Sequence, residues 1–143
     1  MNTDAHYLVD LDGTLAYYDG WHGVGHIGDP VPAMVQKVKT LLTNGYMVKI
    51  FTARATEPEE IPYVKAWCLK HLGVELEVIN YKTYGTIKIF DDRAITIEEN
   101  TGQALHEEGC LISVKEYKRL LERDKALSKL EAMGVDNWDG YSE

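Results

Sequence analysis

Cysteine is nearly absent from this chain: there are two in 143 residues, and Cys68 and Cys110 lie far apart in no metal-like spacing. That excludes a disulfide framework and a thiolate metal centre, and leaves a pair of core thiols in a reducing cytoplasm as the expectation. Long apolar runs are missing too. None approaches the roughly 20 residues of a membrane helix, and the N-terminus lacks a charged-then-apolar signal pattern. A soluble, cytoplasmic protein with no membrane partner is expected. Basic residues are in the minority, 15 Lys and Arg against 23 Asp and Glu, for a net charge of −8. Such a chain has no extended nucleic-acid surface, because phosphate neutralisation supplies most non-specific affinity. A few local cations still suffice to hold one phosphate. Internal repeats, low-complexity tracts and a second domain are also lacking. One domain over residues 1–143 is expected, with a core over about 6–97 and a helix and tail over about 113–143.

What the chain does have is an apolar strand that stops abruptly at two acids, YLVDLDGTL over residues 7–15. Burying a strand that ends in two carboxylates is costly unless a cation sits beside them. The strand is placed at about residues 6–11. Residues 16–29 are glycine-rich, aromatic and without period, and read as a loop. Pro30 and Pro32 then open a helix whose stripe is Met34, Val35, Val38, Leu41 and Leu42, with Gly45 past its end. A second strand over 46–51 ends at Thr52, Ala53 and Arg54. Thr56 and Glu59 have capping-box spacing with Pro58 between them, which predicts a helix running to Leu72. Residues 74–79 and 86–90 read as two more strands, the latter ending at Asp91, Asp92 and Arg93, and 94–97 as a short further one. Ser113 and Glu116 form another capping-box pair before a charged helix. Its leucines, Leu120, Leu121, Leu127 and Leu130, with Met133, read as a core-facing stripe.

Short apolar strands alternating with helices predict an α/β fold with a parallel central sheet. Ligands in such sheets bind beyond the carboxyl ends of the strands. Asp10 and Asp12, Thr52 and Arg54, Lys82, and Asp91 and Asp92 all fall there. Four converging carboxylates need a hard cation, and Mg²⁺ takes one or two carboxylates plus a substrate phosphate. With the metal present, one carboxylate can attack a phosphoryl group, and a second acid can protonate the leaving oxygen and then activate water. A hydroxyl and a lysine would hold the phosphoryl oxygens.

DLDGT at residues 10–14 resembles the DxDGT signature of the haloacid dehalogenase (HAD) superfamily of phosphohydrolases. Ile50-Phe51-Thr52 is similar to its second motif and Ile89-Phe90-Asp91-Asp92 to its fourth, in the same order along the chain. Asp91-Asp92-Arg93 also resembles the phosphatase domain of polynucleotide kinase-phosphatases. The resemblance implies a Rossmann-like HAD domain and an Mg²⁺-dependent phosphomonoesterase working through an aspartyl-phosphate. It implies Asp10 as nucleophile and metal ligand, and Asp12 as general acid/base, binding metal through its carbonyl. Thr52 would contact the phosphoryl group, and Asp91 and Asp92 would complete the metal site. Gly13, Thr52, Ala53, Arg54 and Lys82 would form the substrate contacts. Lys82, in the loop after the third strand, is preferred as the motif-three lysine over Lys88, which period-2 alternation points away from Asp91.

The two places where HAD proteins insert a cap domain hold only a loop, single helices and a strand here, so no cap is expected. An open site suits substrates too large to enclose, or needs a second subunit as lid; the expected partner is a phosphorylated small molecule or a nucleic-acid phosphate end. Residues 16–29, with Tyr17, Tyr18 and Trp21 able to stack on a base or sugar, are the candidate flap. The competing readings are a catalytically idle HAD-like phosphate-binding or interaction module and a phosphotransferase or phosphomutase. Arg54 reads either as a phosphate ligand or as an ion pair to Asp91 or Glu59, and Arg93 as a counter-charge to the acids. His22 and His26 read as solvated, and Trp138 and Tyr141 as docking on the domain.

Overall fold

A computed structural model describes residues 4–105 and 114–133. The chain divides into two compact units, Met1–Ala94 and Ile95–Glu143. The first holds β1 (His6–Val9), α1 (Pro32–Thr43), β2 (Met47–Phe51), a 3-10 turn (Ala53–Thr56), α2 (Ile61–Leu72), β3 (Val78–Ile79) and β4 (Thr86–Phe90). Its four strands form one sheet in the order β3-β2-β1-β4, every pair parallel. The first unit is therefore a mixed α/β fold with a parallel sheet flanked by helices, compatible with a Rossmann-like architecture.

The order has a consequence for function. From β1 the chain steps through α1 to β2 and through α2 to β3, always the same way, and then returns to lay β4 on the other side of β1. The strand order thus reverses between β1 and β4, and the crevice beyond their carboxyl ends is where such sheets bind ligands. The return from β3 to β4 takes only residues 80–85, which must cross the sheet from one edge to the other. Three strand spacings are about 14 Å, within the roughly 20 Å that six residues can reach, and the segment closes in a turn where the Thr86 N–H donates to the Thr83 carbonyl at 3.0 Å.

Apolar side chains of β1, β2, α1 and α2 make the core, with Val9, Leu11, Val38, Val48, Ile50, Val64 and Cys68 at its centre. Cys68 is a buried free thiol that burial pushes up to about 12, as expected of a core cysteine; Cys110 lies outside the described residues. Gly45 adopts φ +84° just past α1 and Gly73 φ +82° at the end of α2, the left-handed conformation that stops a helix.

Several boundaries differ from expectation. The Thr56–Glu59 capping box does not form: the Thr56 hydroxyl donates to the Ala53 carbonyl at 2.8 Å and closes the 3-10 turn. Pro58 lies in the turn that follows, and α2 starts only at Ile61. β3 is shorter than predicted, because only Val78 and Ile79 pair with β2. In the second unit, the predicted short strand is β5 (Thr96–Ile97), and it pairs antiparallel with an unforeseen partner, β6 (Ala104–Leu105).

The charged helix is present as α3 (Val114–Ala132), and among the described residues no core buries its leucines. Leu120, Leu121, Leu127 and Leu130 are 40–48 % exposed and Met133 is 70 % exposed. The small β5–β6 hairpin offers no apolar face to cover them, since its own Ile97 and Leu105 are exposed as well. Ser113, Trp138 and Tyr141 lie outside the described residues.

Candidate active site

Backbone pairing that continues past the strands sets the site. The Asp10 N–H donates to the Phe90 carbonyl at 2.8 Å, which holds the end of β1 beside Asp91. The Thr52 N–H donates to the Ile79 carbonyl at 2.9 Å, which carries β2 on to Thr52. After Asp12 the chain turns sharply, and the Leu11 carbonyl accepts the N–H groups of Thr14, Leu15 and Ala16. Gly13 makes the turn possible at φ +87°, and a Cβ there would stand 2.6 Å from an Asp92 carboxylate oxygen. Glycine is favoured by that positive φ, and any side chain at position 13 would push the Asp92 carboxylate aside.

Three carboxylates meet in that space. Asp10, Asp91 and Asp92 each place an oxygen within 4.8 Å of the others. Thr14 ties the group together: its hydroxyl donates to Asp92 Oδ1 and accepts the Asp92 N–H, both at 3.0 Å. Asp91 Oδ1 accepts the Arg93 N–H at 2.8 Å. Burial, a hydrogen bond with Asp92 and the charge of Asp91 push the Asp10 carboxyl up to about 7, although the Leu11 N–H opposes this. Burial also raises Asp92, but hydrogen bonds from Asp10 and Thr14, helped by the Arg93 charge, outweigh it and hold Asp92 below the usual carboxylate range. An all-oxygen donor set whose charges repel, in a cradle that a side chain at position 13 would fill, fits a hard divalent cation such as Mg²⁺.

Asp12 is held apart from that cluster. Its two oxygens accept from Arg54 Nε at 2.7 Å and Nη2 at 2.9 Å, a bidentate pair. The same guanidinium reaches Glu60 from Nη1 at 3.1 Å and the His26 carbonyl from Nη2 at 2.9 Å. Arg54 is 8 % exposed and Glu60 1 % exposed, and the hydrogen bonds to Asp12, then Glu60, hold Arg54 firmly in its charged form against the cost of burial. Its ion-pair partners are Asp12 and Glu60 rather than Asp91 or Glu59. Thr52 caps the 3-10 turn by accepting the Arg54 N–H at 3.2 Å, and so aims Arg54 at Asp12.

The loop after the turn is an Ω-shaped excursion closed at its base. The Tyr17 N–H donates to the Asp29 carbonyl at 2.8 Å, and the Val31 N–H to the Leu15 carbonyl at 2.9 Å. It docks on α2: Trp67 Nε1 donates to the Gly28 carbonyl at 2.9 Å, the Gly25 N–H points at Glu60, and the Tyr63 ring leaves no room for a Cβ at Gly25. His22 is exposed and pairs with Asp19.

A cavity of about 490 Å³ opens over the strand ends. Asp10, Asp12, Thr52, Ala53 and Asp91 line it, together with Tyr18, Asn80 and Arg93. The predicted residues Asp10, Asp12, Gly13, Thr52, Ala53, Arg54, Asp91 and Asp92 are thus brought together at one rim. Lys82 and Lys88 are both exposed, and neither lines the cavity. Lys88 sits opposite Tyr7 inside β4, three residues below Asp91. Two further residues of the site carry little sequence signal. Thr14 is visible only as part of DLDGT. Glu60, in an acidic run, gives no sign in the sequence that it is the buried partner of Arg54.

The sequence of residues 106–143, all within the second unit, matches the family model of the phage T7 gp5.9 RecBCD inhibitor. No curated relative matches the chain. A conserved protein from Bacteroides thetaiotaomicron has a solved structure that superposes with a TM-score of 0.49 at 22 % identity, covering 62 % of this chain and 76 % of that one.

Proposed function

We propose that the Met1–Ala94 unit is a capless HAD-type, Mg²⁺-dependent phosphomonoesterase. One observation carries this reading: the carboxylates of Asp10, Asp91 and Asp92 converge at the switch point between β1 and β4, with Asp12 held in a fixed orientation two residues on. Asp10, Asp91 and Asp92 would hold Mg²⁺, with the Asp12 carbonyl; the ion would offset the charge of the phosphoryl oxygens and of the carboxylates around them. An Asp10 oxygen attacks phosphorus as the bond to the leaving oxygen breaks, and Asp12, which must first take up a proton from solvent against its Arg54 ion pair, passes that proton to the leaving oxygen. Asp12, now a base, takes a proton from water, whose oxygen attacks the same phosphorus and frees Asp10. Arg54 fixes the Asp12 carboxylate through both oxygens, and each oxygen keeps a lone pair for the proton. Thr52 offers its O–H to the phosphoryl group from across the cavity, and Lys82 would reach it from the crossing segment.

The test is phosphate release from an aryl phosphate with Mg²⁺. Chelator should abolish it, and Asp10→Asn should lower it by about 10⁴- to 10⁶-fold, the scale of losing a catalytic nucleophile. Binding of phosphate without turnover would point instead to an idle module, and transfer to an added alcohol without net hydrolysis to a phosphotransferase.

The match of residues 106–143 favours a second reading for the other unit, in which this segment contacts RecBCD. The exposed leucines of α3 give it apolar surface to offer. RecBCD activity measured with and without the whole chain tests it. Inhibition that Leu120→Glu with Leu127→Glu relieves supports this reading, and undiminished RecBCD activity refutes it.

A further inference from the structure

Beside the main cavity lies a second groove of about 230 Å³, and the two share Asp12, Tyr18 and Ala53. Trp21, Arg54, Glu57 and Glu60 complete the groove. We propose that this groove is the leaving-group subsite and that it takes the nucleoside of a nucleoside monophosphate. The inference rests on the phosphomonoesterase reading, and names its substrate class.

Position comes first. The leaving oxygen must face Asp12, so the leaving group has to emerge on the Asp12 side of the cavity. The groove begins there. Its walls are aromatic: Trp21 is 56 % exposed and Tyr18 44 % exposed, so both rings leave surface open beside Asp12. Trp21 is also oriented. The Arg54 guanidinium lies 5.2 Å from its ring centroid, and Arg54 is itself pinned by Asp12 and Glu60. An indole held in this way forms a stacking platform before any ligand arrives, which lowers the ordering cost of binding a planar base. Tyr17, by contrast, lines neither cavity, so the aromatic content of the loop is divided between two sides.

Charge then selects among base-bearing substrates. The acids on the groove are Asp12, Glu57 and Glu60, and its one cation, Arg54, is already shared between two of them. That balance repels any further phosphate on the leaving group, so an oligonucleotide end or a nucleotide with a second phosphate is disfavoured. The Glu57 carboxylate is exposed and only accepts hydrogen bonds, which suits ribose hydroxyls or the amino group of a base.

Two measurements separate this inference from the reading beneath it. Fluorescence of the Asp10→Asn protein, titrated with AMP and GMP in Mg²⁺, reports base stacking on Trp21 without requiring turnover. Saturable quenching is expected, and Trp21→Ala should abolish it together with AMP binding by calorimetry. Trp21→Phe should lose the quenching signal but keep AMP binding, because a phenyl ring still stacks. Steady-state kinetics then compare AMP with ribose 5-phosphate and with a 3′-phosphorylated oligonucleotide. AMP should be preferred over both, and Trp21→Ala or Tyr18→Ala should shrink the AMP preference over ribose 5-phosphate by about 5- to 150-fold, the range for one base stacked on one ring. Glu57→Lys should raise oligonucleotide turnover relative to AMP. Equal kcat/KM for AMP and ribose 5-phosphate, or no quenching by either nucleotide, overturns the subsite while leaving the phosphatase standing. Nucleotide binding with no phosphate release from any substrate overturns the phosphatase while keeping the groove.

Discussion

Replacing Asp10 by Asn should abolish turnover and, in metal-free solution, make the protein more stable. Asp10 is squeezed between burial and the charges of Asp91 and Asp92, so its carboxyl rises from an ordinary 3.8 to about 7. A folded-state pKa above the unfolded value means that the folded protein holds the proton more tightly. The stabilisation is complete below about pH 4 and is lost as the pH rises through 7. A tenfold change in proton affinity is worth about 1.4 kcal/mol, so the rise as a whole would set an upper bound of about 4 kcal/mol. The cavity is open to water, and about 1–2 kcal/mol is the discounted expectation at pH 8. Asparagine has the same shape and no charge to lose. In chelator at pH 8, Asp10→Asn should therefore melt about 5–10 °C above the parent, and the gap should close at pH 4. Adding Mg²⁺ should reverse the order, because the ion stabilises the parent by about 2.7 kcal/mol at a hundred times its Kd and loses a ligand in the variant. Thermal melts at two pH values, with chelator and with Mg²⁺, check all three parts. Equal melting temperatures at pH 8 in chelator would refute the account of the acidic cluster as destabilised by its own repulsion.

Arg54→Ala should cost about 3 kcal/mol in urea unfolding, because it strands the buried Glu60 carboxylate and removes the bidentate partner of Asp12; a loss under about 1 kcal/mol would contradict the geometry. Gly13→Ala should cost roughly 1–2 kcal/mol for its positive φ and weaken Mg²⁺ binding, since the new methyl group displaces the Asp92 carboxylate; calorimetric titration of Mg²⁺ reads the second effect. Lys82→Ala should lower turnover at least about tenfold and Lys88→Ala leave it within about twofold, differences of roughly 1.4 and 0.4 kcal/mol in the barrier. The opposite pattern would move the phosphoryl-binding role to Lys88.

The apolar runs that end in short polar motifs made the sheet and its rim legible in advance. Residues 7–9, 48–50 and 86–90 needed no long-range information to be recognised as strands, and a parallel sheet placed their ends together. The order β3-β2-β1-β4, which puts Asp91 beside Asp10, is not written in any one segment. The fate of Glu60 was hidden for a related reason: an acid in an acidic turn looks solvated until the fold sets Arg54 against it. The Thr56–Glu59 spacing misled because a hydroxyl can donate as well as accept: instead of accepting an N–H as an N-cap would, Thr56 donates to the Ala53 carbonyl of the 3-10 turn. The leucines of α3 misled because spacing records which residues share a helix face and not whether anything lies opposite.

The site divides its acids between two electrostatic settings. Asp12 and Glu60 share Arg54, a cation that is part of the chain, is always protonated and fixes a carboxylate through two bonds at once. On the phosphomonoesterase reading, that suits a group whose orientation toward the leaving oxygen must not vary. Among the described residues, Asp10, Asp91 and Asp92 have no such ion pair: Arg93 lies at the rim, and the Thr14 hydroxyl organises the cluster without neutralising it. On the phosphomonoesterase reading, an arginine reaching into that cluster would occupy the space the phosphoryl group needs. An exchangeable ion would supply the charge without doing so. The paired acids after β1 are therefore one apolar strand delivering two carboxylates into opposite electrostatic settings, Asp12 against a fixed cation and Asp10 among like charges that Mg²⁺ would balance.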